Sequence, residues 1–319
     1  MATVGTFYQN IRSARTTLRD IGRMREIALV LVRHGFGHVV QTWRFRDQAV
    51  VAPVVVQQTT SDRLSGPARL TIALQELGPT FVKLGQILST RSDLIPQEWC
   101  DHLTKLQDRV EPFPIEQARA VIETELAQTI DKLFADFQNE PLASASIAQV
   151  HVATLLTGEE VVVKVRRPDI ITKIESDLHL LYWVARQLED GLPEARAFDP
   201  VAIIGEFEKS ITKELNLEYE VAHLQRFQRN FSEWNNVHVP VVYPDYCTSA
   251  LIVMERLNGV KITDGATLGH DMKPIAHDCV HMIFKMVFED GFFHGDLHPG
   301  NLLVLEDGRI GLILSLIHI

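Results

Sequence analysis

The chain has 319 residues, a formal net charge of −10 and a composition that is 46% hydrophobic and 23% charged. Such a composition belongs to globular proteins and excludes a disordered chain, and the acidic balance argues against a general nucleic-acid binder. The length accommodates one two-lobed domain with an N-terminal extension.

The acid is unevenly spread. Residues 1–60 hold eight arginines (Arg12, Arg15, Arg19, Arg23, Arg25, Arg33, Arg44 and Arg46) against Asp20, Glu26 and Asp47, so this segment is net +5 and the remainder net −15. A basic segment with apolar helical positions suits an anionic membrane surface or an acidic partner, or is a solvated helix face. Cys100, Cys247 and Cys279 are odd in number and widely spaced, which fits a reducing compartment without a disulfide framework. The start lacks a signal-peptide apolar region. Ile27 to Val32 is only six apolar residues, and Ala49 to Val56 is broken by Pro53, so no stretch reaches the roughly 20 residues that span a bilayer.

In chain order, residues 7–46 predict one or two basic helices with a Gly-containing break at 34–37, and 50–66 read as a linker. Leu74, Leu77, Phe81, Leu84 and Leu88 recur at steps of three and four, predicting an amphipathic helix with Pro79 where a helix start tolerates it. Lys83 and Gln86 sit one turn apart on it, flanking Gly85, which would let another surface approach closely. Residues 97–127 give two more helical patterns around Pro112 and Pro114. From about 140 the period changes, and Ile147 to Ala153 and Glu160 to Val165, separated by Thr157-Gly158-Glu159, predict a β-hairpin. Helices are expected at 170–190, 201–230 and 270–290, with short strands at 237–243 and 249–255. Ile283, Met286 and Phe288 on the last helix resemble a core face that the remainder of a lobe would cover.

Three features carry chemistry. Lys164 interrupts the buried-strand pattern Val161-Val162-Val163-Lys164-Val165, and a lysine is rarely buried unless paired. A kinase strand uses such a lysine to contact nucleotide phosphates; an edge position pointing outward is the alternative. Its acidic partner would come from Glu214, Glu218 or Glu220, among which spacing does not choose. The preceding loop, where kinases place glycines over phosphate, reads Pro141-Leu142-Ala143-Ser144-Ala145-Ser146-Ile147-Ala148-Gln149, which disfavours an ordinary protein kinase. Finally, His294-Gly295-Asp296-Leu297-His298-Pro299-Gly300-Asn301 lies between the apolar runs Phe292–Phe293 and Leu302–Leu305. This is the strand–loop–strand spacing of a catalytic loop in which an Asp orients the acceptor hydroxyl and an Asn five residues on holds magnesium. The plain alternative is a hairpin with a polar turn.

The set Lys83-Leu84-Gly85-Gln86, loop 143–146, Lys164, the Glu214–Glu220 segment, Met254-Glu255 at the hinge and the 294–301 loop resembles the UbiB family of atypical, protein-kinase-like proteins that support ubiquinone biosynthesis. The resemblance spans roughly 65–313, and the bacterial members look closest. It implies an α+β, protein-kinase-like two-lobed fold with an N-terminal helical extension and an incomplete C-lobe. The expected division is 1–64 basic extension and linker, 65–135 helical extension, 136–257 N-lobe with inserted helices, 258–313 start of the C-lobe, and 314–319 a non-native tail. Implied catalytic residues are Asp296, Lys164 and Glu220, the last as partner of Lys164. Ala143, Ser144, Ala145, Ser146, Lys164, Met254, Glu255, Lys83 and Gln86 would bind ATP or ADP, and Asn301 would bind Mg2+. The Lys83-x-Gly-Gln86 helix would pack over the nucleotide and hinder protein substrates, while the Ala-rich loop would set nucleotide preference. Family members often carry Glu-x-Asp where this chain has Glu214-Leu215-Asn216, so no metal role passes to position 216. Implied partners are the nucleotide, quinone-lipid precursors, quinone-biosynthesis proteins and an anionic membrane surface, with no nucleic acid. The implied location is the bacterial cytoplasm, peripheral to the inner membrane.

The hairpin 302–313 should lead to an Asp-Phe-Gly-type segment near 314, but the chain reads Leu314-Ser315-Leu316-Ile317-His318-Ile319. CTG-TCT-CTT-ATA-CAC-ATC would encode these residues and looks like a sequencing-library adapter. The expectation is a truncated parent whose remaining C-lobe and C-terminal membrane helices are absent, and a chain that is itself inactive. Two rival functions are a small-molecule phosphotransferase of the aminoglycoside or choline type, which shares the His-Gly-Asp start, and a nucleotide-responsive scaffold without turnover.

Overall fold

The computed structural model describes residues 18–42, 64–106, 111–191, 193–295 and 297–313. Most of the 50–66 linker, Asp296 and the 314–319 tail lie outside the described residues, as do the positions of Arg12, Arg15, Arg44 and Arg46.

Helices α1 (Leu18–Arg33), α2 (Gly37–Thr42), α3 (Gly66–Leu77), α4 (Pro79–Ser89), α5 (Gln97–Leu103) and α6 (Ile115–Leu126) precede the single turn α7 (Ile130–Leu133). Strands β1 (Phe134–Phe137), β2 (Ala143–Ser144), β3 (Ala148–Leu155) and β4 (Glu160–Arg166) follow, then helices α8 (Ile170–Gly191), α9 (Pro200–Leu215) and α10 (Glu218–Asn230). After β5 (Val237–His238), β6 (Leu251–Glu255) and β7 (Gly259–Lys261) comes α11 (Met272–Phe284), which runs into a π-helical turn at Lys285–Glu289. The hairpin β8 (Leu302–Leu305) and β9 (Ile310–Leu312) ends the described chain.

Several elements differ from the periodicity, each for a local reason. The apolar stripe from Leu74 to Leu88 spans two helices, because Gly78 takes φ 97° between them and Pro79 opens α4. The Gly78 N–H closes α3 onto Leu74 O and Gln75 O, and the missing N–H of proline costs nothing at a helix start. The expected 201–230 helix is likewise two. Asn216 Oδ1 accepts from the Glu218 N–H at 3.0 Å, and the Leu217 N–H leaves the helix for Ser249 O at 3.0 Å. A short polar side chain that caps the next turn competes with continued helix. No strand forms at Phe292–Phe293: the Phe292 N–H bonds Met286 O at 3.0 Å, so the loop beyond is entered from a helix. The strands of 237–243 and 249–255 shorten to β5 and β6, with an isolated bridge between Val242 and Met254.

The described residues fall into two compact units, one within 1–107 and 171–211, the other within 108–170 and 212–319. In the first, Met24, Ile27 and Val30 of α1 pack with Ala73, Leu74 and Leu77 of α3, Phe81 and Val82 of α4, and Leu180 of α8. The apolar stripe of α1 within the described residues is therefore covered by protein. Arginine charge is also engaged there: Arg33 pairs with Glu76, and buried Arg23 donates from Nε to Asp177 Oδ1 at 2.6 Å and from Nη2 to Leu77 O at 2.7 Å. Thr80 Oγ1 donates to the other Asp177 oxygen at 2.5 Å. Burial opposes the Arg23 charge, but Asp177 and Glu26 outweigh it and its pKa is raised. No described helix is long and apolar enough to cross a membrane.

The second unit holds both sheets. One runs β1-β3-β4-β6 with β2 also on β3; the other runs β5-β9-β8-β7. The β4 side chains alternate. Val161, Val163 and Val165 face a core with Ala118 and Ile122 of α6, while Val162 faces one with Leu217, Leu224 and Phe227 around α10. On α11 and the π-helical turn after it, Met286 is buried at 1% exposure rather than part of an open face, whereas Val280, Ile283, Phe284, Val287 and Phe288 are exposed. A buried polar chain runs under β3. His151 Nδ1 donates to Gln138 O at 2.9 Å, Gln149 Nε2 donates to His151 Nε2 at 2.8 Å, and Gln149 Oε1 accepts from the Phe113 N–H at 3.0 Å.

Two stability predictions follow from these buried groups. Asp177→Ala leaves the buried guanidinium with only the exposed Glu26 as counter-charge and is expected to cost about 3 kcal/mol, read as an earlier denaturant midpoint for the first unit; an unchanged midpoint contradicts it. Burial pushes the His151 pKa down, so its neutral form stabilises the fold above the unfolded value of about 6.5, and stability falls as pH drops through that value. The unfolding midpoint of the second unit should therefore decline below about pH 6.5, with a shallower slope in His151→Gln; identical slopes would exclude His151 as the titrating group.

Candidate functional site

The site is built from the second unit alone, starting with β4. It is an inner strand, and Lys164 pairs in register with Val150 of β3 and Ile252 of β6. By strand alternation Lys164 shares its face with Val162, and the residue is 3% exposed. The ammonium donates to Glu220 Oε2 at 2.7 Å. Glu218 is exposed at the α10 start and takes a 3.4 Å contact from the Asn216 amide. Glu220 lies in the first turn of α10, where the helix dipole favours negative charge. Lys164 thus points inward and not from an edge.

Two further basic residues end β4. Arg166 donates from Nη1 to Leu215 O and Ser249 O, both at 2.7 Å, gripping the chain just before α10 begins. Arg167 donates from Nε to Ala145 O at 3.0 Å and from Nη2 to Ser144 Oγ at 2.7 Å and Glu111 O at 2.8 Å. Burial lowers the pKa of both guanidinium groups, which remain charged because arginine titrates far above neutrality. The Ala/Ser loop is accordingly part of the sheet: Ala143 pairs with Val150 and Ser144 with Gln149, the Ala145 N–H bonds Ala148 O at 2.8 Å, and Ser146 is buried.

Beside Val162 lies a cleft of ≈ 660 Å³ that includes space open to solvent. Leu142, Val150 and Val162 line it from the first sheet, residues 254–259 along the hinge, and Ile313 from the second sheet. Met254 contributes its side chain to the adjoining core. The Glu255 carboxylate is tied elsewhere, accepting from His238 Nε2 at 2.8 Å and from the Val241 N–H at 3.0 Å. Gly259 packs against backbone, and a Cβ there would come within 2.6 Å of Val304 O.

The 294–301 loop is pinned by one residue. Buried His294 donates from Nε2 to Ile313 O at 3.1 Å, and the Ile313 N–H donates to Asn301 O at 2.9 Å. Within the loop, His298 Nδ1 accepts from the Gly300 N–H at 2.9 Å and His298 O from the Asn301 N–H at 2.9 Å. Asn301 is 1% exposed. Phe292 stacks on α10, 4.7 Å from the Phe227 ring with the Arg226 guanidinium 4.0 Å above it. The same helix therefore carries Glu220 and seats the approach to the loop. Asp296 lies outside the described residues. Lys83 and Gln86 lie on α4 in the first unit, and Gly85 between them is filled from within that unit: a Cβ there would meet Leu106 Cδ1 at 2.3 Å and Leu74 Cδ1 at 2.9 Å.

A strand lysine paired to a helix glutamate, a hinge-lined cleft and an Asn-ended loop leading into the second sheet define a protein-kinase-like domain. The chain belongs to the ABC1 atypical kinase-like domain family, whose model matches residues 105–314. Relatives described as "Probable protein kinase UbiB" include one from Azotobacter vinelandii, 50% identical over 295 residues, covering 90% of this chain and 55% of the relative. One from Sodalis glossinidius is 50% identical over 239 residues, covering 74% and 44%. The chain spans about half the length of the curated relatives it matches. A Mycobacterium tuberculosis protein solved in complex with erythromycin is similar at 29% identity and TM-score 0.52, covering 75% of this chain and 61% of that one.

Periodicity and motif spacing did not single out Arg166, Arg167 or His238. The signal for the first two was present: two arginines directly ending a buried strand must find acceptors or leave it. His238 carried no such signal, because its partner Glu255 is 17 residues away and read only as hinge.

Proposed function

We propose that this chain carries the nucleotide-binding part of an ATP-dependent atypical kinase or ATPase. The Lys164–Glu220 ion pair at 2.7 Å, on the strand face that also lines the cleft, is the observation that supports this most strongly. An apolar slot bordered by a backbone hinge suits a purine, since such sites combine mostly apolar walls with a few oriented polar groups. Glu220 holds the Lys164 ammonium ready for the α- and β-phosphates, so the lysine need not be reoriented when nucleotide binds. Asp296 takes the role of orienting an acceptor hydroxyl or a water. Asn301, buried at the foot of the loop, offers a neutral oxygen donor of the hard type that magnesium prefers. Magnesium bound with the nucleotide would neutralise phosphate charge, the main demand of phosphoryl transfer. The acceptor belongs to ubiquinone biosynthesis in this reading, supported by the family and by the relatives' description as UbiB kinases. The resemblance adds quinone-lipid precursors as partners and a place at the inner membrane. Family membership favours this reading over an aminoglycoside-type phosphotransferase.

Calorimetric titration of the 319-residue chain with ATP or ADP, with and without magnesium, tests the binding step. Lys164→Met and Glu220→Gln are each expected to weaken binding at least about ten-fold, corresponding to roughly 1.4 kcal/mol. A wild-type chain with no measurable affinity for either nucleotide would overturn the proposal.

A further inference from the structure

The structure points to an additional residue at this site, one that touches no part of the expected nucleotide. We propose that Arg167 is a positioning residue for the phosphates: it fixes loop 143–146 in advance of nucleotide binding. This inference rests on the nucleotide-binding reading above.

Three observations converge on it. First, the sheet holds only part of the loop: Ala143 and Ser144 pair with β3 and the Ala145 N–H reaches Ala148 O, while Ser146 lies outside that pairing. Second, Arg167 occupies the loop's own acceptors, Ala145 O at 3.0 Å and Ser144 Oγ at 2.7 Å, so the hydroxyl faces an arginine and is not left to meet a phosphate. Third, Arg167 is itself anchored on both sides. Its N–H donates to Ile147 O at 2.8 Å, its Nη2 donates to Glu111 O at 2.8 Å, and its guanidinium lies 5.3 Å over the Phe113 ring. Phe113 is in turn held by buried Gln149. Among the described residues these partners are all uncharged, so the arrangement is no surface ion pair but a half-buried cation that fixes one loop. Arginine suits this task because its planar fork serves several acceptors at once, whereas a lysine ammonium acts as a single point donor.

The consequence concerns the phosphates and not the base. A glycine-rich loop would fold down onto phosphate by its own flexibility. Ala143, Ser144, Ala145 and Ser146 have narrower backbone freedom, and a clamp that holds them beforehand removes the ordering cost from binding. Adenosine, which has no phosphates, should be indifferent to the clamp.

The test compares adenosine with ADP on the full chain, using wild type, Arg167→Gln, Arg167→Lys and Ser144→Ala, with hydrogen exchange of residues 143–147 in parallel. Arg167→Gln is expected to raise the Kd for ADP about ten-fold, or roughly 1.4 kcal/mol, to leave that for adenosine within about two-fold, and to speed exchange in the loop. Arg167→Lys should recover only part of the ADP affinity, and Ser144→Ala should shift ADP in the same direction by less. Equal losses for adenosine and ADP would show a general fold defect and overturn the proposal, as would unchanged ADP affinity or unchanged loop exchange. A wild-type chain that binds adenosine and ADP keeps the nucleotide reading intact whatever Arg167→Gln does; one that binds neither removes both.

Discussion

A buried ammonium on an inner strand sets the terms for everything around it. Lys164 is almost fully enclosed, and leaving such a charge without a partner costs several kcal/mol, so a carboxylate must be delivered to it. Glu220 can reach it because α10 starts at Glu218 and presents its first turn to β4. That start depends on ending α9, and the break at Asn216–Leu217 is secured by the Leu217 N–H on Ser249 O and by Arg166 on Leu215 O and Ser249 O. Lys164 and Arg166 share one strand face, so the strand that requires the carboxylate also holds the chain in the conformation that supplies it. A helix uninterrupted through 216–217 would change the direction in which Glu220 projects.

What was legible in the chain followed from strong local signals. The β3–β4 hairpin, the strand lysine and the acidic segment were readable because a lysine among valines is chemically conspicuous and the period of two is unambiguous. The kinase-like fold followed from the order of those pieces. The choice among Glu214, Glu218 and Glu220 was not readable from spacing, since it depends on where a helix breaks, and that is decided by Ser249 more than thirty residues later. For the same reason no strand forms at Phe292, which follows the helical segment: Phe292 is drawn onto Phe227 and Arg226, a tertiary contact that overrides its β preference. Gly85 shows the converse. Its missing side chain looked like room for a distant surface, yet Leu106 and Leu74 fill that room from the same bundle.

The apolar positions of α1 illustrate how pattern underdetermines use. A basic amphipathic helix has the same sequence signature whether it lies on lipid or on protein. Here Met24, Ile27 and Val30 are covered by α3 and α4, and Arg23 is drawn inward by Asp177. The cover over that stripe and the buried Arg23–Asp177 pair together mark this helix as packed on protein.

The 294–301 loop is held differently, by a few side-chain and backbone bonds that converge on its two ends. Ile313 receives His294 at its carbonyl and donates its N–H to Asn301, so both ends of the 294–301 loop are referred to one residue just past β9. Ile313 also lines the cleft. Displacing that residue would therefore disturb the floor of the cleft and the loop together, while Glu220 is set by α10. The two halves of the site are joined instead through α10, which carries Glu220 at its start and receives Phe292 at Phe227 two turns later. Any motion that withdraws Glu220 from Lys164 by rotating α10 must also shift the seat of Phe292, so the lysine partner and the loop approach are mechanically one element.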